Sequence, residues 1–265
     1  MTTALLTWLL ACAPPTEAPY DPSWTLVWSD EFDGPTGSPP SDVWAPDIGA
    51  GGWGNEQLEY NTDDPANASL DGAGHLAITA RREARDGAEY TSARLTTAGR
   101  YTHGPGRFEA VMQLPAGTGL WPAFWMLGED YPTVGWPNCG EIDILELRGE
   151  EPDTANVAIH GPGYSGGGSL SGSLTLTEGT FADGFHTFAV DVDPDHLTFW
   201  VDDRRVRTVR PGDLPGGAPW VFDESWFLLL NLAVGGTYLA EPDDTTPFPA
   251  TVLVDAVRVY ERETP

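Results

Sequence analysis

This sequence predicts an all-β fold of two packed antiparallel sheets, and three observations carry the prediction. Apolar and polar residues alternate over many short runs, the period of a strand with one buried face. One run, Trp226–Val234, is almost wholly apolar, as expected of a strand buried on both faces. Finally, 31 glycines and 24 prolines break the chain so often that no helical period of useful length survives.

In chain order, residues 75–80 place Leu76, Ile78 and Ala80 on one face. Phe108, Ala110, Met112 and Leu114 alternate against Arg107, Glu109, Val111 and Gln113. Phe188, Val190 and Val192 lead to a turn at Pro194 and Asp195, after which Leu197, Phe199 and Val201 resume the period. The last strand covers residues 251–260. So many strands in 265 residues, with no linker or internal repeat, indicate one sandwich or jelly-roll domain over residues 23–265. Trp28, Trp44, Trp200 and Trp226 are read as core packing.

The formal net charge is -27, and all 13 basic residues are arginine. Such a surface repels nucleic acid and anionic lipid headgroups, so neutral partners are expected and no nucleic acid. No phosphate-binding loop, dinucleotide fingerprint or HExxH motif is present, and the five histidines do not make a zinc spacing. The first residues, 1–12, are apolar but too few to span a bilayer, and read as an export leader. Leu9-Leu10-Ala11-Cys12 resembles the lipobox of bacterial lipoproteins, with Cys12 lipidated, although no basic residue precedes the apolar run. Residues 13–22 then form a tether. The chain is expected to be extracytoplasmic, as a cell-envelope lipoprotein or secreted protein, monomeric, and in contact with membrane only through that anchor. Cys139, the other cysteine, is expected to be a small buried filler.

Glu141, Asp143 and Glu146 stand among Ile142, Ile144 and Leu145, where acids are costly unless they have a task. A catalytic carboxylate strand, a metal-binding edge and a chance cluster in an acidic protein are the three readings. Chance acids mostly occupy polar loops, and the alternation with branched apolar residues favours catalysis. A helix would point Glu141 and Glu146 well apart. A regular strand puts Glu141 and Asp143 on one face and Glu146 on the other. One β-bulge after Asp143 returns Glu146 to the first face. Two carboxyl groups about 5–5.5 Å apart would then suit a retaining glycosidase, with the middle aspartate tuning its neighbours.

Trp53, Trp121, Trp125 and Trp136 lie in or beside glycine-rich segments or close to the acids. Their flat rings would stack on the apolar faces of sugar rings. The segment from Trp136 to Glu146, together with Gly51 to Glu56, Tyr90 to Arg94, Trp121 to Trp125, Asn231 to Gly236 and Val254 to Tyr260, resembles glycoside hydrolase family 16, in particular its bacterial laminarinase-like endo-β-1,3-glucanases. The resemblance implies a concanavalin A-like β-jelly roll with a concave substrate cleft. It also implies Glu141 as nucleophile, Asp143 as assisting carboxylate and Glu146 as acid/base. Trp53, Asn55, Arg94, Trp121, Trp125, Trp136 and His160 would touch substrate, a neutral β-glucan. No cofactor is implied for catalysis, but a structural calcium is, on the Glu31 side chain, Gly72 carbonyl and Asp255 side chain. A mixed-linkage β-1,3-1,4-glucanase, an agarase-like galactan hydrolase and a non-catalytic carbohydrate-binding surface protein are the alternatives; the last would have lost a catalytic glutamate. The chain departs from the family pattern with Tyr238 in place of a tryptophan, and with Asp191-Val192 where Glu-Trp is common.

Overall fold

The computed structural model describes residues 23–262; the leader and Cys12 lie outside them. Seventeen strands follow one another as β1 (Trp24–Asp30), β2 (Ala45–Pro46), β3 (Glu59–Asn61), β4 (Ala68–Leu70), β5 (Leu76–Ala80), β6 (Tyr90–Ser92), β7 (Arg94–Thr96), β8 (Gly106–Gln113) and β9 (Leu120–Gly128), then β10 (Glu141–Leu147), β11 (Thr154–His160), β12 (Leu170–Thr175), β13 (His186–Asp193), β14 (His196–Val201), β15 (Arg204–Val209), β16 (Trp226–Val234) and β17 (Ala250–Arg262). One sheet has the order β15-β14-β13-β8-β17-β5-β4, with β1 also paired to β17. The other has the order β12-β11-β10-β9-β16-β7-β2, and both are antiparallel throughout. The only regular α-turn among the described residues is Tyr131–Val134, just ahead of the acidic strand.

The core lies between the sheets. Phe108, Ala110 and Met112 from β8 meet a layer that includes Phe124 and Met126 from β9, Ile142 and Ile144 from β10, and Leu228, Leu230 and Leu232 from β16. All of these are fully buried. Every residue of β16 is buried, because its second face carries Phe227 and Leu229, which pack with Leu127, Cys139 and Trp125. Cys139 is therefore the small filler that its surroundings suggest.

Two tryptophan expectations hold fully: Trp44 and Trp226 are core residues. Trp28 is only partly buried, packing against the core and stacking on Tyr101. Trp200 is not core. Its Nε1 donates to Asp191 Oδ2 at 2.8 Å on the outward face of the first sheet. On that face Arg107 donates to both Glu109 and Asp191, and all three are buried although their alternation reads as solvated.

Strand β10 departs from regular pairing at one place. Asp143 faces Trp125 and Leu145 faces Phe124 on β9, while on β11 the register shifts between Asp143 and Glu146. That is the bulge expected after Asp143. Its signature is two consecutive residues, Ile144 and Leu145, both at 0% exposure. Ile144→Ala and Leu145→Ala are each expected to cost about 2–5 kcal/mol in denaturant unfolding. A regular strand would leave one of the two near neutral, so a tolerated substitution at either position would refute the bulge.

Candidate active site

With the bulge in place, Glu141, Asp143 and Glu146 line the face of the second sheet that points away from the core. Ile142, Ile144, Leu145 and Leu147 fill the core on the other side. Trp121 and Trp125 project from alternate positions of β9 onto the same acid-bearing face. Trp121 Nε1 donates to Glu146 Oε1 at 3.1 Å, and Trp136 Nε1 donates to Glu141 Oε2. Each outer acid thus has its own indole donor.

The neighbouring strands add polar groups. Asn231 on β16 faces both Ala123 and Arg94 across the sheet, and its Oδ1 accepts from Trp125 Nε1 at 2.8 Å. Arg94 Nε donates to Asp47 Oδ2 at 2.9 Å. Its guanidinium carbon lies 4.9 Å from the Trp53 ring centroid and 4.8 Å from that of Trp125, so the group is bracketed by two indoles. Trp53 adopts φ 47°, flanked by glycines that also have positive φ, a conformation costly for a tryptophan. Asn55 is exposed, and its backbone carbonyl accepts from Thr237, joining two loops beside Trp121. Tyr238 stands 4.9 Å from Trp121, so an aromatic wall is kept where the sequence departs from tryptophan. On the other flank, His160 Nε2 is 3.1 Å from Asp143 Oδ2.

Burial dominates the electrostatics. It pushes Glu141 up to about 8, helped by the charge of Asp143. Burial likewise pushes Glu146 up to about 7, with the charge of Glu141 adding to it. Asp143 is raised well above the aspartate range by burial and then by Glu146. Three acids this close and this dry hold their protons to higher pH than free carboxyl groups do.

The structure thus brings together all ten sequence-predicted catalytic and substrate-facing residues. Asn231 and Asp47 escaped sequence reasoning as site residues. The one available signal was a lone polar residue inside the apolar run of β16. The side chains of the implied calcium set have partners within the protein. Glu31 accepts two hydrogen bonds from Arg258, at 3.0 and 2.8 Å, and is held below the usual glutamate range by them. Asp255 Oδ1 instead faces His75 Nε2 at 3.7 Å. A Glu31 ligand would have to leave an arginine fork. Gly72 packs close to Thr36 in a turn. Among the described residues, the one cluster of three or more acidic, histidine or cysteine side chains close enough to hold an ion is Glu141, Asp143 and His160.

Residues 53–226 match the glycosyl hydrolases family 16. A beta-glucanase of Rhodothermus marinus is 40% identical over 248 residues, covering 90% of this chain and 86% of the relative. The laminarinase catalytic domain of Thermotoga maritima superposes with a TM-score of 0.86 at 42% identity, covering 91% of this chain and 100% of that domain. The endo-beta-1,3-glucanase of Pyrococcus furiosus gives a TM-score of 0.86 at 43% identity, covering 91% and 96%.

The buried acids make stability depend on pH. An unfolded glutamate ionises in the ordinary range, whereas folded Glu141 and Glu146 do so near 8 and 7. Between those limits the folded state binds more protons than the unfolded state, so stability is fully present at low pH and is lost as pH rises through the folded values. The thermal midpoint of Glu141→Gln is therefore expected to exceed that of the parent at pH 8 and to converge with it near pH 5. Equal midpoints at both pH values would refute the burial argument.

Proposed function

Because the chain belongs to glycosyl hydrolase family 16, we propose that it is an endo-β-1,3-glucanase that hydrolyses laminarin-type glucan with retention of configuration. The observation that carries this is the bulged strand that aligns Glu141, Asp143 and Glu146 on one face, with an indole donor on each outer acid.

Glu141 attacks the anomeric carbon as the glycosidic bond breaks, and Glu146 gives its proton to the departing sugar oxygen. Water then attacks the glycosyl-enzyme, losing a proton to Glu146 and releasing Glu141. The roles require an anion at 141 and a proton at 146. In the free site both are raised, Glu141 the more. The positive charge that develops on the sugar favours the anion at Glu141, the acid that attacks it. The proton retained by the row then belongs on Glu146. Asp143, between them, keeps its neighbours' protons in play. The tryptophan faces and the bracketed Arg94 would bind and orient the sugar chain. Anchoring through Cys12 and a monomeric state belong to the same proposal and rest on the sequence alone.

Glu141→Gln is expected to abolish nearly all hydrolysis while glucan binding persists, and early products of the parent should be the β-anomer by proton NMR. Prompt appearance of the α-anomer would overturn retention. Catalytic efficiency on laminarin is expected to exceed that on lichenan at least about tenfold, or roughly 1.4 kcal/mol at the transition state. Equal efficiency on lichenan would move the assignment to a mixed-linkage enzyme and leave the carboxylate chemistry standing.

A further inference from the structure

The face of His160 turned away from the acids is also occupied. The Gly166 backbone N–H donates to His160 Nδ1 at 3.0 Å. A ring nitrogen that accepts a hydrogen bond carries no proton, so the proton of the neutral imidazole sits on Nε2. Nε2 is the atom 3.1 Å from Asp143 Oδ2. That oxygen is buried and has no well-aligned hydrogen bond, the Nε2 contact included, so the imidazole meets it as a close polar contact. The arrangement is a chain of contacts: loop amide, imidazole, central aspartate.

The donor on Nδ1 matters because of the company His160 keeps. From β10 it faces Glu141, Asp143 and Glu146, and Trp136 lies 6.2 Å from its ring. The loop over residues 161–168 contributes one titratable group, Tyr164, whose hydroxyl is turned to the Pro219 carbonyl. β12 contributes none. Glu141, Asp143 and His160 place donor atoms within 4.8 Å of one another, close enough to hold a transition-metal ion. To bind one, Nε2 would have to lose its proton and Nδ1 gain one, and that new N–H would point at the Gly166 N–H.

We propose that the Gly166 amide locks the tautomer of His160, so that the ring holds a proton against Asp143 and the acid row is closed to transition-metal ions. The loop around Gly166–Gly168 is then a positioning element of the site rather than a connection between strands. The inference rests on the glucanase reading for its catalytic consequence but not for its tautomer or metal consequences.

Nitrogen-15 NMR of the His160 ring in the full chain tests it directly: the neutral ring should carry its proton on Nε2. A proton on Nδ1 would overturn the lock, whatever the substrate proves to be. His160→Gln can present an amide where Nε2–H was, and His160→Asn cannot. Gln should therefore retain at least about tenfold more laminarin turnover than Asn, and the reverse order would overturn a role through Nε2. Deleting residues 166–168 should free Nδ1, and zinc binding followed by calorimetry should strengthen at least about tenfold relative to the parent. If the deleted loop leaves both the tautomer and the weak zinc binding unchanged, Gly166 is not the lock. Should the deletion variant fail to fold, the NMR and the paired substitutions still decide.

Discussion

A strand presents side chains to one face only at every second residue, and the acid row breaks that rule by one position. The extra residue between Asp143 and Glu146 is held there by burial. Ile144 and Leu145 are adjacent in sequence yet both fully buried, and each such side chain contributes about 1.5–3 kcal/mol. Removing the bulge would expel one of them into the cleft or drive the Glu146 carboxylate into the core. Hydrophobic packing on one side of the sheet thus fixes the spacing of charge on the other. The Glu146 position and its contact with Trp121 both follow from that single constraint.

Holding three carboxyl groups in such a face is costly, and the surrounding residues offset part of the cost with donors that also have apolar bodies. Trp121 and Trp136 donate an N–H to Glu146 and Glu141 while leaving ring faces for a sugar. Trp125 turns its N–H sideways to Asn231 and offers its ring to Arg94. Arg94 is in turn tied to Asp47. These links cross between strands and loops far apart in sequence, so the polar atoms are oriented before any substrate arrives, the condition under which electrostatic stabilisation acts without reorganisation. The strained backbone at Trp53 fits the same pattern, since its ring closes the second side of the Arg94 bracket.

The layered β architecture and the acid row were legible because both are written in local period. Alternation placed Phe108, Ala110 and Met112 inward, and the out-of-phase acids demanded a bulge. What stayed illegible depends on register between distant strands. Glu31 reads as a free ligand until β1 pairs with β17 and brings it to Arg258. Arg107 and Glu109 read as solvated by the same alternation that correctly buries their neighbours, yet β13 and β14 supply Asp191 and Trp200 beside them. Asn231 was hidden by the apolar run around it, because hydropathy averages away the one residue that faces Trp125 and Arg94. Local pattern tells which face a residue takes; only the pairing tells what it meets there.

The overall charge of -27 and the three site acids act over different ranges. In physiological salt, exposed charges more than about 8 Å apart are largely screened, so the bulk of the acidic surface does not set the protonation of the row. Burial comes first among the causes at Glu141, Asp143 and Glu146, and the neighbouring acid second. A sugar chain lying across the tryptophans would displace water from the same face and strengthen both effects. Glu146 would therefore hold its proton more firmly as substrate binds, up to the point at which charge develops. The oxocarbenium-like transition state then places positive charge beside the row, and that charge stabilises the anions that burial had opposed. The environment that makes the acids costly in the free protein is the one that makes their ionisation contingent on reaction.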